Sequence, residues 1–333
     1  MPNPTCCKSL IAPALVAAAL CPAAHAADPS ASSGQAYPTK PIRIIIPTAP
    51  GGGSDQMVRM IGNRFTEAWG QQVVVDHRAG AGMTIGIDLT AKAAPDGYTM
   101  AVVNPSHAIN ATLMSKLPYD PVRDLIAVTV TSTQPYAVCV TNSLAAKNVK
   151  DVIALAKAKP RELNFASSGP GSASHLAGEM FIAMAGIQMT HIPYKGTGSA
   201  MPDLISGRAH FYINPMLAMI SQINAGRIRL IAVTSPKRVS TMPDVPTVSE
   251  SGVPGYEATS WYMLIMPSKT PQPIVSKIHA ETVKTLKSPD VVEVLAKGGS
   301  EPLANSQKEA AEFLKVEIAR WGKVIRQAKV KIE

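Results

Sequence analysis

Short runs of isoleucine and valine alternate with helix-length stretches along most of this chain, and that alternation narrows the fold to an open α/β sheet. Strands are predicted over 42–46, 73–75 and 98–103, with helices over 55–69 and 86–93 between them. The helix over 55–69 carries Val58, Ile61, Phe65 and Ala68 on one face. A second series follows, with strands over 137–141, 164–166, 189–192, 210–213 and 229–233. Its helices fall over 149–159, 174–185, 199–206 and 217–225, and Gly186, Gly207 and Gly226 stand where left-handed caps close a helix. The strands are apolar throughout, as in parallel sheets covered on both faces. A Pro- and Ser-rich connection over 235–255 then leads to a strand over 260–266 and helices over 273–286, 290–297 and 307–327. The middle series therefore reads as an insertion in the first. The expected division is one lobe of 38–126 plus 250–333 and another of 127–249, with hinge crossings near 126–134 and 235–260.

Ligands in such sheets gather at the carboxyl ends of the strands. The first strand runs into Pro47-Thr48-Ala49-Pro50-Gly51-Gly52-Gly53-Ser54-Asp55, a glycine-rich turn that opens a helix. Free backbone N–H groups and the positive end of a helix dipole meet there, which suits an anion. Ser167-Ser168-Gly169-Pro170-Gly171-Ser172 repeats the arrangement ahead of a helix bearing His175 and Glu179. Two such turns on two lobes describe a clamp. Asn104, Ser106 and His107 follow the 98–103 strand and form a further candidate contact, with an ordinary turn as the alternative. Asp55 suits either ordering the anion loop or capping the helix. Ser172 suits both contact and capping, and His175 suits packing more than contact. Tyr194, Lys195 and Gly196 fit either a closing loop or a solvated one, whereas Trp261 and Tyr262 read as core.

The first 26 residues have the form of an export signal: Lys8 as the only charge, an apolar run from Leu10 to Leu20, and Ala24-His25-Ala26 as a cleavage site. The run is too short to span a membrane. Residues 27–37 read as a flexible leader, and the address is the periplasm. Cleavage removes Cys6, Cys7 and Cys21, leaving Cys139 in an apolar run and no internal disulfide. It also leaves the chain strongly basic, one unit below the +9 of the full sequence. The basic residues are scattered rather than clustered, so nucleic acid is excluded as a partner and a preference for small acids remains. The spaced dinucleotide fingerprint, the Gly-x-Ser-x-Gly elbow and a His-x-x-x-His zinc pair are all missing, so no catalytic or metal site and no cofactor is expected.

The ordered motifs of the whole mature chain resemble the solute-binding proteins of tripartite tricarboxylate transporters, the Bug family. They include Tyr37-Pro38 with Pro41-Ile42-Arg43, the 47–55 turn, Gly80-Ala81-Gly82, Pro95-Asp96-Gly97-Tyr98, Leu117-Pro118-Tyr119-Asp120-Pro121, His175-Leu176-Ala177-Gly178-Glu179 and His191-Ile192-Pro193-Tyr194-Lys195-Gly196. The resemblance implies a two-lobe type II periplasmic-binding-protein fold. It also implies a monomer that closes over a small carboxylate, held by backbone groups and waters between the two turns, and hands it to one large and one small membrane subunit. A periplasmic sensor, or a binder of a non-carboxylate solute, is the alternative. Two residues depart from the family pattern. Thr48 stands where Phe is usual, and Asn214 stands where an Asp is frequent, so an aromatic wall and a negative charge are both replaced.

Overall fold

The computed structural model describes residues 37–114 and 116–328, so the signal segment and most of the leader lie outside the described residues. In chain order the elements are β1 (Ile42–Ile46), α1 (Gly53–Trp69), β2 (Val73–His77), α2 (Thr84–Ala91), β3 (Thr99–Val103), α3 (Ser106–Leu113) and β4 (Leu125–Thr141). Then come α4 (Val149–Ala158), β5 (Asn164–Ser167), α5 (Ala173–Ala185), β6 (Thr190–Pro193), α6 (Thr197–Ser206), β7 (Phe211–Pro215), α7 (Met216–Asn224) and β8 (Ile228–Val233). The chain returns through β9 (Thr259–Pro267), α8 (Gln272–Leu286), α9 (Pro289–Lys297), β10 (Glu301–Pro302) and α10 (Gln307–Ala328).

The strands form a mixed sheet in the order β2-β1-β3-β9-β4-β7-β5-β6, with β8 and β10 also paired to β4. Away from the middle it is parallel: β1 lies between β2 and β3, and β5 between β6 and β7. This is the βα repeat read from the sequence, with apolar strands such as Ile42, Ile44, Ile45 and Ile46 fully buried under helices on both faces. The middle is antiparallel. β4 pairs with β9 as far as Pro135 and with β7 from Tyr136 onward, so one 17-residue strand serves both halves.

That continuous strand runs through the 126–134 crossing. Its first half carries Thr129, Thr131, Ser132 and Gln134, all buried, and so lacks the apolar run that marks the other strands. Thr234 ties the two passages together. It exchanges hydrogen bonds with Tyr136, whose N–H donates to Thr234 Oγ1 at 2.8 Å, and its hydroxyl donates to Ala258 O at 2.7 Å. α10 backs the crossing, where the indoles of Trp261 and Trp321 both donate to buried Glu317, at 2.7 and 3.1 Å. Among the described residues no helix is long and apolar enough to cross a membrane.

Candidate ligand-binding site

Because a βα unit sends each strand's carboxyl end into a helix N-terminus, the two halves direct several helix starts at one place. A cavity of about 430 Å³ lies there. It is lined by first-turn residues of six helices: Gly53 and Ser54 of α1, Ile85 of α2, Ser106 of α3, Ser174 of α5, Thr197 of α6 and Ala218 of α7. Each start leaves N–H groups without intrahelical acceptors and carries a fractional positive charge. Among the described residues Lys195 is the one charged side chain in the lining, and neither Asp nor Glu contributes to it. The electrostatics favour an anion.

The first turn is shaped by backbone. Gly51 sits at φ +84°, and the N–H groups of Asp55 and Gln56 bond to Gly52 O at 3.1 and 3.3 Å. Gly53 has no room for a side chain, since a Cβ there would stand 2.1 Å from Tyr262 Oη. Thr48, Gly52, Gly53 and Ser54 face the cavity. Ala49, Pro50 and Gly51 instead meet the opposite half: Ala49 N–H donates to Lys195 O at 3.3 Å, and a Cβ on Gly198 would lie 2.0 Å from Pro50 O. Asp55 is buried beside the turn, with Arg59 Nε 3.2 Å and His77 Nε2 3.1 Å from its carboxylate. His77 Nδ1 lies 3.1 Å from Thr48 O, so this ring spans the turn from end to end.

The second turn is built from side chains. Ser167 Oγ meets His191 Nε2 at 2.6 Å and accepts from Gly169 N–H at 3.1 Å. Gly171 N–H donates to His175 Nδ1 at 3.1 Å, and Ser172 Oγ caps α5 by accepting from His175 N–H at 3.2 Å. Ser168 N–H donates to Ser174 Oγ at 2.9 Å, and the Ser168 hydroxyl meets that of Tyr212 at 2.8 Å. His175 and His191 stack at 4.1 Å, and Phe165 stacks on His191 at 4.7 Å and on His175 at 6.3 Å. Burial, with His175 close by, lowers the His191 pKa to about 4. Ser168, Gly169 and Ser172 reach the cavity, while Ser167, Gly171 and His175 stand behind them as supports.

Asn104 and Ser106 also line the cavity. Asn104 Oδ1 accepts from Ser106 N–H at 2.9 Å, and Ser106 Oγ accepts from Ala173 N–H of the other half at 3.1 Å. His107 points away into the core against Tyr119, where burial lowers its pKa to about 4. Asn214 is buried at the end of β7, and its Nδ2 donates to Thr197 Oγ1 at 3.0 Å. Cys139 is fully buried, which pushes its thiol well above the ordinary range.

Several lining residues carried no site assignment from sequence. Ala79 to Met83 make one wall, where Ala81, Gly82 and Met83 hold φ of +45°, +60° and +82° and Asn110 Nδ2 donates to Gly82 O at 2.5 Å. The Gly80-Ala81-Gly82 motif was the available signal. Thr197 and Ser174 adjoin recognised motifs. Tyr262 offered none, because an aromatic in an apolar strand reads as core.

Two α/β halves meeting at a cavity of helix starts define a solute-binding fold of the type II periplasmic class. The family described as "Tripartite tricarboxylate transporter family receptor", TctC, matches residues 57–330, and the chain belongs to it. That family comprises periplasmic solute-binding proteins, not enzymes. The chain is 35% identical over 303 residues to Protein BugT of Bordetella pertussis strain Tohama I, covering 90% of this chain and 93% of BugT. Among solved structures it is similar to Rhodopseudomonas palustris Rpa4515 with adipate, at 36% identity and a TM-score of 0.86, covering 89% of this chain and 99% of that one. It is also similar to MatC (Rpa3494) from the same organism with bound malate, at 27% identity and a TM-score of 0.82, covering 87% and 100%.

Proposed function

We propose that this receptor captures a small carboxylate between its two lobes and delivers it to a tripartite tricarboxylate-type transporter with one large and one small membrane subunit. The observation that carries the reading is the convergence of six helix starts and Lys195 on a cavity with no acidic lining among the described residues. The adipate and malate of the two Rhodopseudomonas neighbours agree with it. Thr48, Gly52, Gly53, Ser54, Asn104, Ser106, Ser168, Gly169, Ser172 and Asn214 are the contacts, Ala49, Pro50, Gly51, Asp55, Ser167, Gly171 and His175 position them, and His107 packs in the core. The lobes, 38–126 with 250–333 and 127–249, swing about the two crossings. Closure brings the 49–51 turn against the 195–198 loop, and the transporter reads the closed form. The chain works as a monomer in the periplasm after removal of its signal near Ala26.

Thermal shift of the purified mature protein against adipate, malate, hexanoate, benzoate, glucose and calcium tests the reading. A bound acid raises the melting temperature by mass action. Stabilisation by glucose or calcium with none by any acid would reject it.

A further inference from the structure

Tyr262 lies in β9, next to β4, and is only 2% exposed, yet it lines the cavity. A Cβ built on Gly53 would sit 2.1 Å from its hydroxyl and 3.4 Å from Ala218 N. The hydroxyl therefore stands between the first residue of α1 and the first turn of α7, where two helix starts meet. Burial raises the phenol above its ordinary range, so it keeps its proton.

Gln134, on the neighbouring crossing strand, is also 2% exposed. Its Oε1 is occupied: Leu217 N–H donates to it at 2.8 Å and the Ser300 hydroxyl at 3.2 Å. Its Nε2 is buried with no hydrogen bond satisfied among the described residues, so the side chain is held through its oxygen. From the place of the Tyr262 hydroxyl at the meeting of the α1 and α7 starts we infer that Tyr262 is a ligand-contacting donor that gives its hydroxyl proton to a carboxylate oxygen. The inference rests on the carboxylate reading and adds a side-chain donor from β9 to a cradle otherwise made of helix starts.

Calorimetric titration with adipate, malate, hexanoate and benzoate tests it on the wild type and Tyr262→Phe. Tyr262→Phe keeps the ring and is expected to weaken every acid the wild type binds by about 10- to 100-fold, the loss of one hydrogen bond to a charged group. Melting of the free variant reports folding. Affinity within twofold of wild type in Tyr262→Phe overturns the contact. A wild type that binds none of the four acids rejects the carboxylate reading and this inference with it. Acid binding left unchanged by Tyr262→Phe rejects the inference alone.

Discussion

The two turns that cradle the cavity reach the same shape by opposite means. The 48–55 turn has a middle of glycine and alanine and rests on the opposite half through Ala49 N–H to Lys195 O and the close passage of Pro50 over Gly198. The 167–172 turn is held from within its own half: Ser174, Ser167 and His175 accept from the N–H groups of Ser168, Gly169 and Gly171, and His191 bonds the Ser167 hydroxyl. One turn thus meets the opposite half through its own backbone, and the other is braced chiefly by side chains of its own half. Under the proposed closure the second turn is the preformed jaw and the first the closing jaw, so part of the ordering cost of binding would be met before the ligand arrives.

Gly198→Ala should break the closing jaw with the largest effect. The residue adopts ordinary helical backbone near the start of α6, where alanine is favoured, so the free protein should melt at or slightly above the wild-type temperature. In the closed form the added methyl would stand 2.0 Å from Pro50 O, a backbone atom that cannot rotate aside. A loss of about 100-fold in affinity by calorimetry is expected, in line with overpacking costs of ~1–3 kcal/mol. Unchanged affinity would mean that the halves need not meet here. Ser167→Ala attacks the preformed jaw and should do the reverse. Gly169 N–H and His191 both lose a partner, so ~1–2 kcal/mol of stability disappears in the free protein, with a smaller drop in affinity of about 10-fold. Denaturant unfolding without ligand checks it, and wild-type stability would show that the turn does not depend on this hydroxyl.

The two jaws were legible because glycine clusters and helix caps are local signals. The helix over 55–69 lengthened only to Gly53–Trp69, and both turns fall where strands end. The wall over 79–83 hid because two of its three left-handed residues, Ala81 and Met83, are not glycine and so give no composition signal. The α3 helix was hidden in what read as a loop, since Ser106-His107-Ala108-Ile109-Asn110 has no long apolar period. β4 was found only in its second half. Its first half is a buried strand of threonine, serine and glutamine, and polar residues paired inside a sheet look from sequence like a connection. Tyr262 was missed for the same reason in mirror image: a core-like residue whose one polar atom emerges in the site.

Acid sharpens the comparison, because a histidine with a depressed pKa sits under the second jaw. His191, beneath the second turn, is held at about 4, as is His107 in the core below the Asn104 loop. In the unfolded chain both return to about 6.5. Between those values the unfolded chain binds more protons, so the stability they supply is full above pH 6.5 and is lost as pH falls through 4. The fully buried His107 accounts for no more than about 3 kcal/mol of this, and the partly exposed His191 for less. Melting temperature should fall between pH 7 and pH 4.5, and His191→Phe, which keeps a stacked ring, should flatten part of that fall. An unchanged slope would place the loss elsewhere, in His107 or in paired carboxylates.

Asp55 makes the finest distinction between the jaws, since it is the acid closest to the anion cradle. It lies at the third position of α1, where a carboxylate complements the helix start, and it is engaged by Arg59 and His77 rather than turned to the cavity. As a ligand contact it would lower affinity when neutralised only if it held the ligand through a bridging group. As a brace whose charge shares the α1 dipole with the bound anion, it does the opposite. Asp55→Asn should therefore leave affinity unchanged or up to about threefold tighter, and remove ~0.5–1 kcal/mol of stability as the dipole and ion-pair contributions weaken. A tenfold loss of acid binding in this variant, with melting unchanged, would return Asp55 to the ligand shell and make the first turn more than a backbone cradle.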